Sequence, residues 1–263
     1  MKTRILSILV IILAFVGIYC GWRYYGDVIK PEKEISEADE VQNRLFSDIK
    51  PTTAVTYTIT AVHTETVVTT TTAIDYLADA AEINSSVVGW ITIPDTHIDF
   101  PIAQGEDNDF YLHNGFDKKY NYELGCPFLD YRCASDFSGF NSIVYAHHMT
   151  QQRMFADIAL FKDSAFMAAN PVGQLTLHDG VHTVSFFAYL NVPDDSAVYQ
   201  IADSAEYAEY LDTLYRSADY VTKNKDEIKE TDRLLLLSTC TYEYKDARGV
   251  LAGIIESTIE QQD

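Results

Sequence analysis

Leu234-Leu235-Leu236-Leu237-Ser238-Thr239-Cys240, answered by Arg248-Gly249-Val250-Leu251-Ala252-Gly253-Ile254-Ile255, is the stretch that decides the fold. Four consecutive leucines are apolar on both faces of an extended chain, so the first segment predicts a central strand rather than a half-exposed one. Thr241–Ala247 is polar, and the apolar run after it predicts a returning strand. That strand–loop–strand brings Arg248 beside Cys240 at adjoining strand ends. A thiol at the mouth of a buried strand is held rigidly and still reaches solvent. Most free cysteines are simply buried, so the neighbours carry the weight. A guanidinium beside the thiol is a fixed multi-donor cation for an oxyanion, or else a surface arginine paired with Glu243 or Asp246.

A third piece lies upstream. Ser142-Ile143-Val144-Tyr145-Ala146-His147-His148-Met149 reads as a strand running into two histidines. By strand parity Tyr145 and His147 share one face, with Ala146 and His148 on the other, so only one histidine can meet the thiol. Further strands are expected at 87–94, 98–103, 174–178, 183–190, 233–239 and 250–255. Helices are expected at 76–84, 154–161 and 205–218. In the last, Tyr207, Tyr210, Leu211, Leu214, Tyr215 and Ala218 form a stripe that packs on the sheet. The 18 tyrosines also suit pleated, half-buried surfaces. The fold class is mainly β with accessory helices, a barrel or a sandwich.

The rest of the chain bounds what such a domain does. Its 263 residues carry a net charge of −20, and from Arg23 onward 17 basic residues face 39 acidic ones. Nucleic-acid binding needs clustered Lys and Arg, so it is excluded as a function class. Ile5 to Trp22 is nearly all apolar and is flanked by Lys2, Arg4 and Arg23. As a helix it spans about 27 Å, close to bilayer thickness. A cleaved signal peptide is the rival reading, but Val16-Gly17-Ile18-Tyr19-Cys20 lacks a small-x-small cleavage pattern. The expectation is therefore a membrane anchor over 1–26, with the N-terminus cytoplasmic and the remainder extracellular. Residues 27–72, with eleven threonines between Thr52 and Thr72, are expected as a solvated stalk, and 73–263 as the catalytic domain. Cys126 and Cys133 could bridge in an oxidising compartment, but they lack the partners of a zinc site.

Several separated blocks resemble one family. They are Val88-Gly89-Trp90-Ile91-Thr92-Ile93-Pro94, Phe100-Pro101-Ile102-Ala103-Gln104-Gly105 with Asp107-Asn108-Asp109-Phe110-Tyr111-Leu112, and Phe128-Leu129-Asp130-Tyr131. Tyr145-Ala146-His147-His148-Met149 with Met154-Phe155-Ala156-Asp157-Ile158 follows, then Leu237-Ser238-Thr239-Cys240 with Arg248. In this order and spacing, from about Tyr76 to Ile255, the chain resembles the sortases, the class B branch in particular. That resemblance implies a sortase β-barrel with an extra N-terminal helix and a helix before the cysteine strand. It implies that the catalytic histidine is His147, the first of the pair, and that Ser238, Tyr145 and Asn108 are accessory site residues. The family usually has a glycine before that histidine, and here it is Ala146.

The implied chemistry is acyl transfer needing no metal or cofactor. The Cys240 thiolate attacks a carbonyl of a C-terminal sorting signal on a surface protein and forms a thioester. Arg248 stabilises the oxyanion, and His147 protonates the departing amine. An amine on a peptidoglycan precursor or a pilin then resolves the thioester. A recognition segment is implied near 201–232. Papain-like hydrolases, the rival enzymes, place cysteine upstream of histidine, whereas the order here is His, Cys, Arg. A non-catalytic surface module with a sortase-like barrel is the rival of another class.

Overall fold

The computed structural model describes residues 2–51, 55–62, 68–121, 124–149, 151–241 and 243–256, with side chains for these apart from 2–12, 55–62 and 68–74. In chain order, α1 (Lys2–Tyr24) passes through a π-helical segment (Tyr25–Ile29) into α2 (Lys30–Ile49). β1 (Val55–Val62) and β2 (Val68–Asp75) pair as an antiparallel ribbon. Then come α3 (Ala78–Ile83), β3 (Val87–Thr92), β4 (Asp99–Gln104) and the short α4 (Phe110–His113). β5 (Phe128–Leu129), β6 (Asn141–Tyr145), β7 (His148–Met149) and β8 (Arg153–Met154) lead to a 3-10 helix, Ala156–Lys162, and α5 (Ser164–Ala169). Then follow β9 (Val172–Leu177), β10 (Gly180–Pro193), α6 (Tyr207–Ser217), β11 (Ala218–Val221), β12 (Arg233–Cys240) and β13 (Ala247–Ile255).

Eight strands close into a barrel in the order β10-β13-β12-β6-β5-β4-β3-β9, with β9 paired back to β10 and β11 added outside β10. Closure depends on the length of β10. Its first half pairs with β9 and its second half with β13, with a register shift between Phe186 and Ala188. Opposite the shift, a side chain on Gly253 would stand 2.6 Å from Val184 Cγ1, so β13 needs glycine there. Two pairs in the barrel, β4–β5 and β6–β12, are parallel.

The four leucines lie on a strand buried on both faces. Leu235 and Leu237 join the barrel interior, while Leu234 and Leu236 join a second cluster with Tyr210, Leu211 and Leu214 of α6. The stripe read from 205–218 packs as expected, though Ser204–Glu206 is a separate 3-10 turn capped by Asp203. The segment 154–161 is likewise 3-10, over Ala156–Lys162, and not an α-helix.

Within the expected stalk, 27–72, the described residues hold α2 and most of the β1–β2 ribbon rather than extended chain alone, while 52–54 and 63–67 lie outside the described residues. Packing begins well before residue 73. Phe46 and Ile49 are buried, with Ile35, Ala38 and Leu45 packed beside them. Phe46 meets Trp90, Phe100 and Phe116 edge-on at ring distances of 5.9–6.2 Å. Buried Arg153 of β8 pairs with Glu32 and Asp39 of α2, each at 3.3 Å. In α1, Leu13, Phe15, Val16, Ile18 and Trp22 are exposed. Among the described residues, no helix is long and apolar enough to cross a membrane.

Candidate active site

Cys240 is the last residue of β12, and its register partner on β13 is Arg248. The guanidinium is therefore a cross-strand neighbour of the thiol by backbone pairing alone. Arg248 does not pair with Glu243 or Asp246. Its Nη2 lies 3.4 Å from Asp194, and Nη1 donates to the Ala247 carbonyl at 3.1 Å. Glu243 is engaged elsewhere, by Lys162 and Asn191.

His147 reaches the site by a different route from the one strand parity predicts. β6 ends at Tyr145, so His147 lies beyond the strand and parity does not aim it. Ala146 fixes it instead. The Ala146 amide donates to the Ser238 carbonyl at 3.2 Å, and the buried Thr239 hydroxyl donates to the Ala146 carbonyl at 2.9 Å. The residue before the histidine is thus clamped to the two residues before the cysteine. His147 Nε2 is 2.9 Å from the Leu112 carbonyl, which can only accept, so Nε2 carries the hydrogen of that bond. Ala146 is absent from the residues with positive φ, so the backbone there needs no glycine.

Cys240, His147 and Arg248 line one cavity of about 490 Å³, with Asn108, Tyr145, Tyr199 and Ser238 among its other walls. The segment 201–232 contributes no residue to this cavity; Asp194 and Tyr199, just upstream, do.

Sortase B of Listeria monocytogenes is 33% identical to this chain over 183 residues, covering 68% of the chain and 73% of the relative. The chain belongs to the class B sortases. No family model matches it. Among solved structures, Clostridium perfringens sortase B superposes with a TM-score of 0.63 at 30% identity, covering 68% of this chain and 99% of that one. A Streptococcus pyogenes class B sortase involved in pilus biogenesis gives 0.62 at 29% identity, covering 68% and 97%. The chain is accordingly a sortase-type barrel with accessory helices, and an enzyme of the cysteine transpeptidase class.

In this class B sortase two of the remaining expected residues, Asn108 and Tyr145, converge on a group that the sequence did not single out. Asp130 is fully buried and accepts from Asn108 Nδ2 at 2.9 Å and from Tyr145 Oη at 3.1 Å. Arg132 gives it three more bonds, from its main-chain N, Nε and Nη2, at 2.7–3.0 Å. Burial pushes the Asp130 carboxyl up, but the Arg132 and Asn108 hydrogen bonds outweigh it and hold the group below the usual range. Ser238 is buried, with its Oγ 2.8 Å from the Tyr199 hydroxyl. Burial pushes that Tyr199 hydroxyl up to about 12, against the bond to Ser238. Asp130, Arg132 and Tyr199 are the site residues that sequence reasoning missed. The Phe128–Tyr131 block contains Asp130, but no sequence signal marks Arg132 or Tyr199.

The thiols differ sharply in surroundings. Cys126 and Cys133 are buried and free, so no bridge joins them, whereas Cys240 is partly exposed. Burial pushes the Cys133 thiol up to about 11 and the Cys126 thiol well above its ordinary value.

Proposed function

We propose that this sortase carries the acyl group of a sorting-signal peptide as a thioester on Cys240 and passes it to an amine. The observation that supports this reading is the cross-strand pairing of Cys240 with Arg248 in a cavity that His147 also lines. The Cys240 thiolate adds to the peptide carbonyl, and the Arg248 guanidinium meets the oxyanion. As the C–N bond breaks, His147 gives its proton to the leaving amine. An incoming amine attacks the thioester and yields that proton back to His147, and the thiolate leaves restored. The donor is a surface protein bearing a C-terminal sorting signal, and the acceptor is an amine of a peptidoglycan precursor or a pilin.

The membrane anchor over residues 1–26 belongs to the same proposal, with the catalytic domain outside the cell. The apolar run Ile5–Trp22 and the exposed side chains of Leu13, Phe15, Val16, Ile18 and Trp22 support it. Membrane fractionation of the full chain against one starting at Asp27 tests the anchor.

The chemistry is tested by mass spectrometry of the protein mixed with a panel of sorting peptides. The expected result is an acyl adduct on Cys240, released by hydroxylamine or an amine acceptor, and absent from Cys240→Ala. An adduct that persists in that variant overturns the nucleophile. Arg248→Ala and His147→Ala are each expected to lower kcat/KM by about 10²–10⁴.

A further inference from the structure

The Asp130 cluster joins three walls of the cavity that share no element. Asn108 precedes α4, Arg132 follows β5, and Tyr145 ends β6. A single carboxylate, excluded from solvent, accepts five hydrogen bonds from these three residues. Both of its oxygens are saturated, which a buried charge requires if it is to be tolerated. Arg132 approaches it with Nε and Nη2 side by side, the bidentate fork that fixes a guanidinium plane. Nη2 also donates to the Tyr199 carbonyl at 3.3 Å. An arginine has five donor hydrogens, and these bonds leave both on Nη1 without an acceptor among the described residues. The Arg132 side chain is 42% exposed and lines the cavity that holds Cys240. It is therefore a rigid donor facing solvent where a peptide would lie.

Its place along the cavity separates it from the chemistry. Ser238 stands two residues before Cys240, about 7 Å along an extended strand. Tyr145 is the register partner of Ser238, and Tyr199 touches it through its hydroxyl. Arg132 is tied to Asp130, which Tyr145 also bonds, and to the Tyr199 carbonyl, so its contacts are with the partners of Ser238 rather than with Cys240.

We propose that Arg132 is a binding residue for the donor peptide, offering Nη1 to a peptide oxygen away from the reacting bond, and that Asp130 is its positioning residue. This inference rests on the acyl-transfer reading of the same cavity. An interaction made equally in the ground state and the transition state lowers KM and leaves kcat largely alone. Removing it has the opposite signature.

The experiment is steady-state kinetics on the whole protein with a processed sorting peptide, for Arg132→Met, Asp130→Asn and the double variant. Arg132→Met is expected to raise KM by about tenfold or more with a smaller change in kcat. Asp130→Asn replaces an acceptor with a donor opposite Asn108, Tyr145 and Arg132, and is expected to raise KM as well. The double variant is expected within about twofold of the worse single one, because Asp130 acts through Arg132. Arg132→Lys cannot reproduce the fork and is expected to restore less than half of the loss. An unchanged KM in Arg132→Met, a loss confined to kcat, or losses that add in the double variant would overturn the proposal. Should Asp130→Asn fail to fold, the two Arg132 variants decide alone. A wild type that turns over peptide alongside an unaffected Arg132→Met defeats this inference only. A wild type that forms no adduct with any peptide defeats the acyl-transfer reading, and this inference with it.

Discussion

At the scale of single residues, the four cysteines form an internal contrast. Cys126 and Cys133 occupy apolar surroundings that disfavour the thiolate, and Cys240 is partly open at a strand end. Only the thiolate alkylates, so reactivity follows these environments. With Cys20 replaced by serine, iodoacetamide at neutral pH is expected to label Cys240 alone, as read by peptide mapping. Labelling of Cys133 is expected to appear only as pH climbs towards 11 or as the chain unfolds. Modification of Cys126 in the native protein at neutral pH would contradict the burial of that thiol. That Cys240 ends a central strand could be read from sequence, because four consecutive leucines are apolar on both faces of an extended chain. The orientation of His147 could not. Parity holds only inside a strand, and the strand stops two residues short.

At the scale of elements, the site is a junction between β6 and β12. Thr239 donates its hydroxyl to Ala146, and the Ala146 amide donates to Ser238, so the two strand ends cannot slide past one another. Thr239→Val keeps the shape and removes one donor, leaving a buried carbonyl short of a partner. The expected cost is about 1–3 kcal/mol in denaturant unfolding. Because the displaced residue adjoins His147, kcat is expected to fall by about tenfold or more. Unfolding curves and single-turnover rates on the same variant separate the two effects. On the far side, α2 is held by Phe46 among three rings, and Phe46→Ala is expected to cost about 3–5 kcal/mol, read from the urea midpoint. This helix escaped sequence reading for a physical reason. Ile35, Ala38, Leu45, Phe46 and Ile49 do recur at helical spacing, but charged residues between them mask the stripe in composition. The two-residue strands β5, β7 and β8 are too short to show any periodicity. The Asp130 cluster was equally hidden. Its members come from three separated segments, and nothing local to Asn108 or Tyr145 signals a shared partner.

At the scale of the whole molecule, the order of β12, β13 and α6 was largely present in the pattern of apolar residues, because each element buries a face that its own sequence declares. Closure of the barrel was not, since it depends on one long strand being shared by two neighbours. The parallel pairing of β6 with β12 has a further consequence, for the time at which the enzyme becomes active. Ala146 and Thr239 are 93 residues apart along the chain, and their contact closes a loop of that length. Loop closure carries an entropic cost before it returns any contact energy, so pairings of this kind form late in folding. The hairpin of β12 with β13 is local and can bring Cys240 to Arg248 early. His147 arrives only with the long-range pairing. In stopped-flow refolding, strand signal from the hairpin is expected before acylation competence, which should appear with the slowest phase. A refolding chain thus passes through an interval in which the thiol is formed and placed, and has no imidazole to serve it.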